Sequence, residues 1–163
     1  MTAVVAAFLN PGAAKALDCP NLNGTFGVVA YTDSNGTRAV EPSKVKIHVT
    51  QAGCAVLTIS ANRVDLPEEQ VVTNIRTDGI PTLYIARPED SDGPEEYLFS
   101  AFSTQALVSK ILYLYEGPSR KFHDTGAALT YDLDESGNLR EVLLNPDGQG
   151  GMRIVESFRT QRE

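Results

Sequence analysis

The stretch from Lys44 to Ser60 constrains this chain more than any other. Val45, Ile47 and Val49 alternate with Lys44, Lys46 and His48, the two-residue period of a strand buried on one face. Ala52-Gly53 then supplies a turn, and Val56 to Ile59 returns as the second arm of a hairpin. Cys54 opens that return. The only other cysteine, Cys19, stands just before the first expected strand, Gly24 to Tyr31.

The same signals recur along the chain. Thr32 to Thr37 reads as a turn around Asn35-Gly36, and Ala61 to Gln70 as a loop or short irregular strand. Strands are expected at Val71 to Ile75, Pro81 to Ala86, Tyr97 to Ser103 and Ala106 to Tyr115. Three more close the chain at Ala127 to Asp132, Asn138 to Asn145 and Gly151 to Arg159. Arg87 to Pro94 and Gly117 to Asp124 read as connections. No segment sustains a helical period. The expected fold is therefore all-β: an antiparallel up-and-down barrel of about 8–10 strands, with a β-sandwich as the alternative. A meander that closes on itself leaves no exposed sheet edge, which favours the barrel.

The 163 residues fit one domain, expected over residues 17–163. Residues 1–16 read as a signal peptide: the apolar run Ala3 to Leu9, the breaker Pro11-Gly12, and the small-x-small site Ala14-Lys15-Ala16. In an exported chain two cysteines suggest one bridge, so Cys19–Cys54 is the expected disulfide and the periplasm or the extracellular space the expected location. A formal net charge of −7 argues against nucleic acid and against anionic membrane surfaces. No stretch approaches the ~20 apolar residues of a transmembrane helix.

Chemistry-bearing patterns are sparse. Asp132-x-Asp134-x-Ser136-Gly137-Asn138 resembles the opening of a calcium loop, but the closing glutamate would fall on Leu143. It reads as a hairpin turn. His123-Asp124 pairs a histidine with a carboxylate, yet no serine or cysteine is presented on a Gly-x-Ser-x-Gly turn. The case for an enzyme is weak and ranks third, behind ligand binding and a protein-interaction module; no metal or cofactor is expected from these residues.

The aromatic residues concentrate in the middle strands. Tyr84, Tyr97, Phe99, Ile111 and Tyr113, with Ile47 and the polar Ser109, are the candidate lining of a pocket for a small apolar or amphipathic ligand. Alternation places Leu107, Ser109, Ile111, Tyr113 and Tyr115 on one face of their strand. If that face points inward it lines a pocket. If outward, it suits a partner protein, and the chain would be an inhibitor or cell-envelope module working through loops and outer face.

Asn21-Leu22-Asn23-Gly24-Thr25-Phe26 resembles the Gly-x-Trp opening of lipocalins and their calycin relatives, with Phe26 in place of the tryptophan. Arg159, beside Phe158 in the last strand, stands where that superfamily often keeps an arginine over the aromatic ring. The resemblance implies an up-and-down barrel enclosing a small hydrophobic ligand, with Arg159 closing the base over Phe26.

Overall fold

In the computed structural model, which describes residues 19–63, 66–87, 92–116 and 120–163, a single antiparallel sheet curls into a nearly closed barrel. The segment read as a signal peptide lies outside the described residues, as do residues 88–91 and 117–119 of the two long connections. Among the described residues there are eleven strands and no helix. They are β1 (Gly24–Asp33), β2 (Gly36–Ala39), β3 (Val45–Ala52), β4 (Val56–Arg63), β5 (Leu66–Arg76), β6 (Thr82–Ile85), β7 (Glu95–Phe102), β8 (Ala106–Leu114), β9 (Phe122–Leu133), β10 (Leu139–Pro146) and β11 (Met152–Arg162).

The hydrogen-bonded order is β5-β4-β3-β1-β11-β10-β9-β8-β7-β6, with β2 paired to β1 off this path, so most strands pair with their neighbours in sequence and β11 returns to β1. The one seam lies between β5 and β6. No ladder joins them; the Arg76 amide donates to Thr82 Oγ1 at 3.2 Å across the start of the gap. β1 is the hub. Its first half pairs with β3, its second half with β2, and its other edge with β11.

Two expectations are corrected here. Gly36 and Thr37, read as the end of a turn, belong with Arg38 and Ala39 to a short strand that holds the end of β1. Ala61 to Gln70, read as a loop or a short irregular strand, is mostly regular strand, because β4 runs on to Arg63 and β5 begins at Leu66. Neither alternation nor turn chemistry marked these residues; backbone pairing alone recruits them.

Alternation sends one set of side chains inward along every long strand. Leu22, Phe26, Leu57, Ile75, Leu107 and Leu139 are wholly buried at the end where the chain enters β1. Burying such side chains contributes about 1.5–3 kcal/mol each. Residues 19–23 lie across that end: the Leu22 amide donates to Gln51 Oε1 at 2.9 Å, and the Gln51 amide to Asn23 Oδ1 at 2.7 Å. Cys19 and Cys54 are joined by a disulfide that ties this crossing segment to the β3–β4 turn. The bridge closes a sequence separation of 35 residues, which by chain entropy stabilises by roughly 4 kcal/mol.

Two glycines are dictated by close approach. A Cβ on Gly24 would lie 2.8 Å from Phe26 Cζ and 3.2 Å from an Arg162 guanidinium nitrogen. That is the physical content of the Gly-x-Phe pattern: the absent side chain makes room for the ring and its cation. A Cβ on Gly27 would meet the Pro42 carbonyl at 2.7 Å, where the β2–β3 connection crosses β1.

The cation over Phe26 is Arg162, not Arg159. The Arg162 guanidinium carbon sits 5.5 Å from the ring centroid. β11 extends past the expected end at Arg159, so Arg162 is the residue opposite Phe26. A bulge at Val29 then sets Arg159 against Ala30 and Arg140, on the exposed outer face.

Candidate ligand site at the open end

One end of the barrel is plugged by the apolar layer around Phe26; among the described residues the other is open. On β8, Leu107, Ser109 and Ile111 are buried inward and Tyr113 is half-buried further up the same face. Tyr115 lies beyond the strand and is 45% exposed at the rim. Ile111 and Tyr113 line a cavity of about 620 Å³ at this end. Ala127 of β9 and Leu143 of β10 give it apolar walls, while Glu96, Asn145 and Arg153 supply polar groups. Tyr113 and Tyr115 stand edge to face at 6.3 Å, and Tyr115 and His123 at 5.7 Å.

The other candidate residues are distributed differently. Ile47 is buried in the barrel wall near Phe26, its cross-strand partner. Ser109 is wholly buried, and its Oγ lies 2.7 Å from Ser100 Oγ, so the two hydroxyls satisfy each other. Tyr84 is half-buried against the core. Tyr97 and Phe99 alternate with the buried Leu98 and Ser100 and so fall on the outer face. Tyr97 packs edge-on against Phe122 at 5.1 Å, and Phe99 lines an outer groove with Leu112 and Phe122. Of the seven pocket residues named from sequence, the open cavity gathers Ile111 and Tyr113.

The interior also holds charged groups that the aromatic pattern did not reveal. Glu141 lies on the face of β10 that carries Leu139 and Leu143, directly across from Tyr131. Glu156 is the cross-strand partner of Leu143, and Tyr31 of β1 faces Phe158, two residues along β11. Burial pushes the Glu141 carboxyl up to about 7; the Tyr131 hydroxyl bonded to it opposes that rise and the Glu156 charge adds to it. Tyr84 is pushed up to about 12, first by burial and then by the charges of Glu141, Glu156 and Glu96. Tyr31 reaches about 12 through burial and its hydrogen bond to Glu156. Tyr131, almost wholly enclosed, is raised well above its ordinary value, first by burial. The signal for Glu141 was legible: Leu139-x-Glu141-x-Leu143 puts a carboxylate in an inward register.

The motifs weighed for other chemistry are structural. Asp134 Oδ1 accepts from the Ser136 and Asn138 amides, at 2.8 and 3.0 Å, and so closes the β9–β10 turn. Asp124 pairs with Lys110 at 2.9 Å, which holds its carboxyl below the ordinary range. Among the described residues no three His, Cys, Asp or Glu side chains come together closely enough to hold one metal ion.

This is the architecture of an antiparallel barrel with one plugged and one open end, compatible with a lipocalin-like fold. Compared with models of known protein families and with curated proteins, the sequence has no match.

Proposed function

We propose that the protein is an exported binding protein that holds a small apolar or amphipathic molecule in the open end of its barrel. The observation that carries this reading is the cavity of about 620 Å³ walled by Ile111, Ala127 and Leu143, with polar groups at its rim. Its size and mixed lining suit a small organic ligand. The Arg162–Phe26 contact at the plugged end supports a calycin-like assignment, because it supplies the base closure that the resemblance implies. The disulfide supports export, since such bonds persist in oxidising compartments.

Titration with the neutral fluorophore N-phenyl-1-naphthylamine tests the reading. A single saturable site, lost in Leu143→Trp while thermal unfolding is unchanged, is the expected result. Absence of saturable binding in the parent protein overturns it.

A second reading rests on the outer face. Leu83 of β6 is 46% exposed, Phe122 of β9 is 45% exposed, and Tyr97, Phe99 and Leu112 lie between them. Such a strip suits a protein partner. The same titration separates the two: binding retained in Leu143→Trp but lost in Leu112→Glu would move the apolar site outside.

A further inference from the structure

Carboxylates stand beside the apolar wall of the open cavity. Leu143 lines the cavity, is paired across the ladder with Glu156, and sits two residues from Glu141 on the same face. Glu96, from β7, also lines the cavity. All three carboxylates lie close enough to Tyr84 for their charges to act on its hydroxyl. β6, β7, β10 and β11 thus aim acidic and phenolic groups at one region, joined by Tyr31 from β1 and Tyr131 from β9.

Arg38 stands over the Tyr31 ring at 5.1 Å, but its guanidinium pairs with Asp33 rather than with these carboxylates. Among the described residues, no lysine or arginine forms an ion pair with Glu96, Glu141 or Glu156. Lys110 pairs with Asp124 on the outside. Arg153 lines the cavity without an ion pair to any of the three carboxylates, and its charge also reaches Asp147 in the β10–β11 turn. The Tyr84 hydroxyl, turned inward, has no hydrogen-bond partner among the described residues. Carboxylates withdrawn from water without counter-ions are costly, and a cation arriving among them recovers that cost. The tyrosine rings add their negative faces to the attraction. Because among the described residues no three His, Cys, Asp or Glu side chains converge tightly enough for a bare metal ion, the fitting cation is a larger organic one.

We propose that the open end of the barrel recognises a cationic amphiphile: an amine or quaternary ammonium head carried on an apolar body. The head lies toward Glu141, Glu156 and Tyr84. The body rests on Ile111, Ala127 and Leu143 and emerges between Tyr113 and Tyr115. This deepens the pocket reading above and depends on it.

Three probes of equal chain length, octyltrimethylammonium, octyl sulfate and octanol, are titrated by calorimetry below micelle formation, in moderate salt. The cation is expected to bind one-to-one and at least about tenfold more tightly than the other two. Glu141→Gln and Glu156→Gln should each erase most of that preference and leave octanol binding unchanged. The affinity for the cation should rise between about pH 5.5 and pH 8 as Glu141 ionises. That rise should survive His123→Asn, which removes the titratable group at the rim, and vanish in Glu141→Gln. Equal binding of the three probes, or preference for the sulfate, overturns the cationic assignment and leaves the pocket reading standing. Failure of all three to bind overturns both.

Discussion

Arg162 lies over the ring of Phe26, its guanidinium carbon 5.5 Å from the centroid, and its NH2 group also donates to the Asn23 carbonyl. One side chain thus joins the last strand, the first strand and the segment that crosses the plugged end. Arg162→Ala should cost about 1–2 kcal/mol in urea denaturation. Arg159→Ala, on the outer face, should cost less than about 0.5 kcal/mol. Equal losses at the two positions would contradict the assignment of the stacking arginine.

Glu141 makes stability depend on pH in an unusual direction for a carboxylate. Its carboxyl is raised from 4.5 to about 7, so between those values the folded chain binds more protons than the unfolded one. Stability from this group is fully present below about pH 4.5 and is lost as pH rises through about 7. Glu141→Gln removes the ionisation, and should therefore stabilise the protein by about 2–3 kcal/mol at pH 8.5 and little at pH 4.5. Denaturation midpoints at the two pH values check this; a variant less stable than the parent at pH 8.5 would refute it.

The paired hydroxyls of Ser100 and Ser109 should behave as a unit. Each satisfies the other at 2.7 Å in a closed interior. Ser109→Ala alone strands the Ser100 hydroxyl and should cost about 1–2 kcal/mol, while the double alanine variant should cost no more than the single one. Additive losses in the double-mutant cycle would show that the hydroxyls have other partners.

Replacing Cys19 and Cys54 by serine together should lower unfolding stability by about 2–4 kcal/mol. In the parent protein, non-reducing mass spectrometry should find two hydrogens fewer than in the reduced chain. Free thiols at both positions would remove the bridge, along with its support for export.

Much of the architecture was legible because strand alternation is local. Val45, Ile47 and Val49 reveal their buried face from three side chains, and the Asn, Asp and Gly turns mark where strands reverse. The strand Gly36–Ala39 was not legible, since its four exposed residues carry no apolar period and exist as strand only through pairing with β1. The extension of β11 to Arg162, which sets that residue rather than Arg159 opposite Phe26, was equally hidden, because nothing in the local pattern marks where the last strand ends.

The candidate site divides the same way. Ile111 and Tyr113 follow from the inward register of β8, which the buried Leu107 and Ser109 share. Tyr97 and Phe99 do not, because an aromatic on a strand fits either face and only its neighbours' packing chooses. The interior acidic group drawn from β7, β10 and β11 joins residues far apart in sequence. Each carboxylate reads alone as an ordinary polar position; closing the barrel brings them together and takes them from water, and that raises the Glu141 carboxyl. Sequence by itself determined the strands, most turns and the cysteine pair, all set by nearest neighbours or by elimination. Tertiary structure decided which arginine covers Phe26, which end of the barrel stays open and what charge lies beside the opening, because register and closure depend on every strand at once.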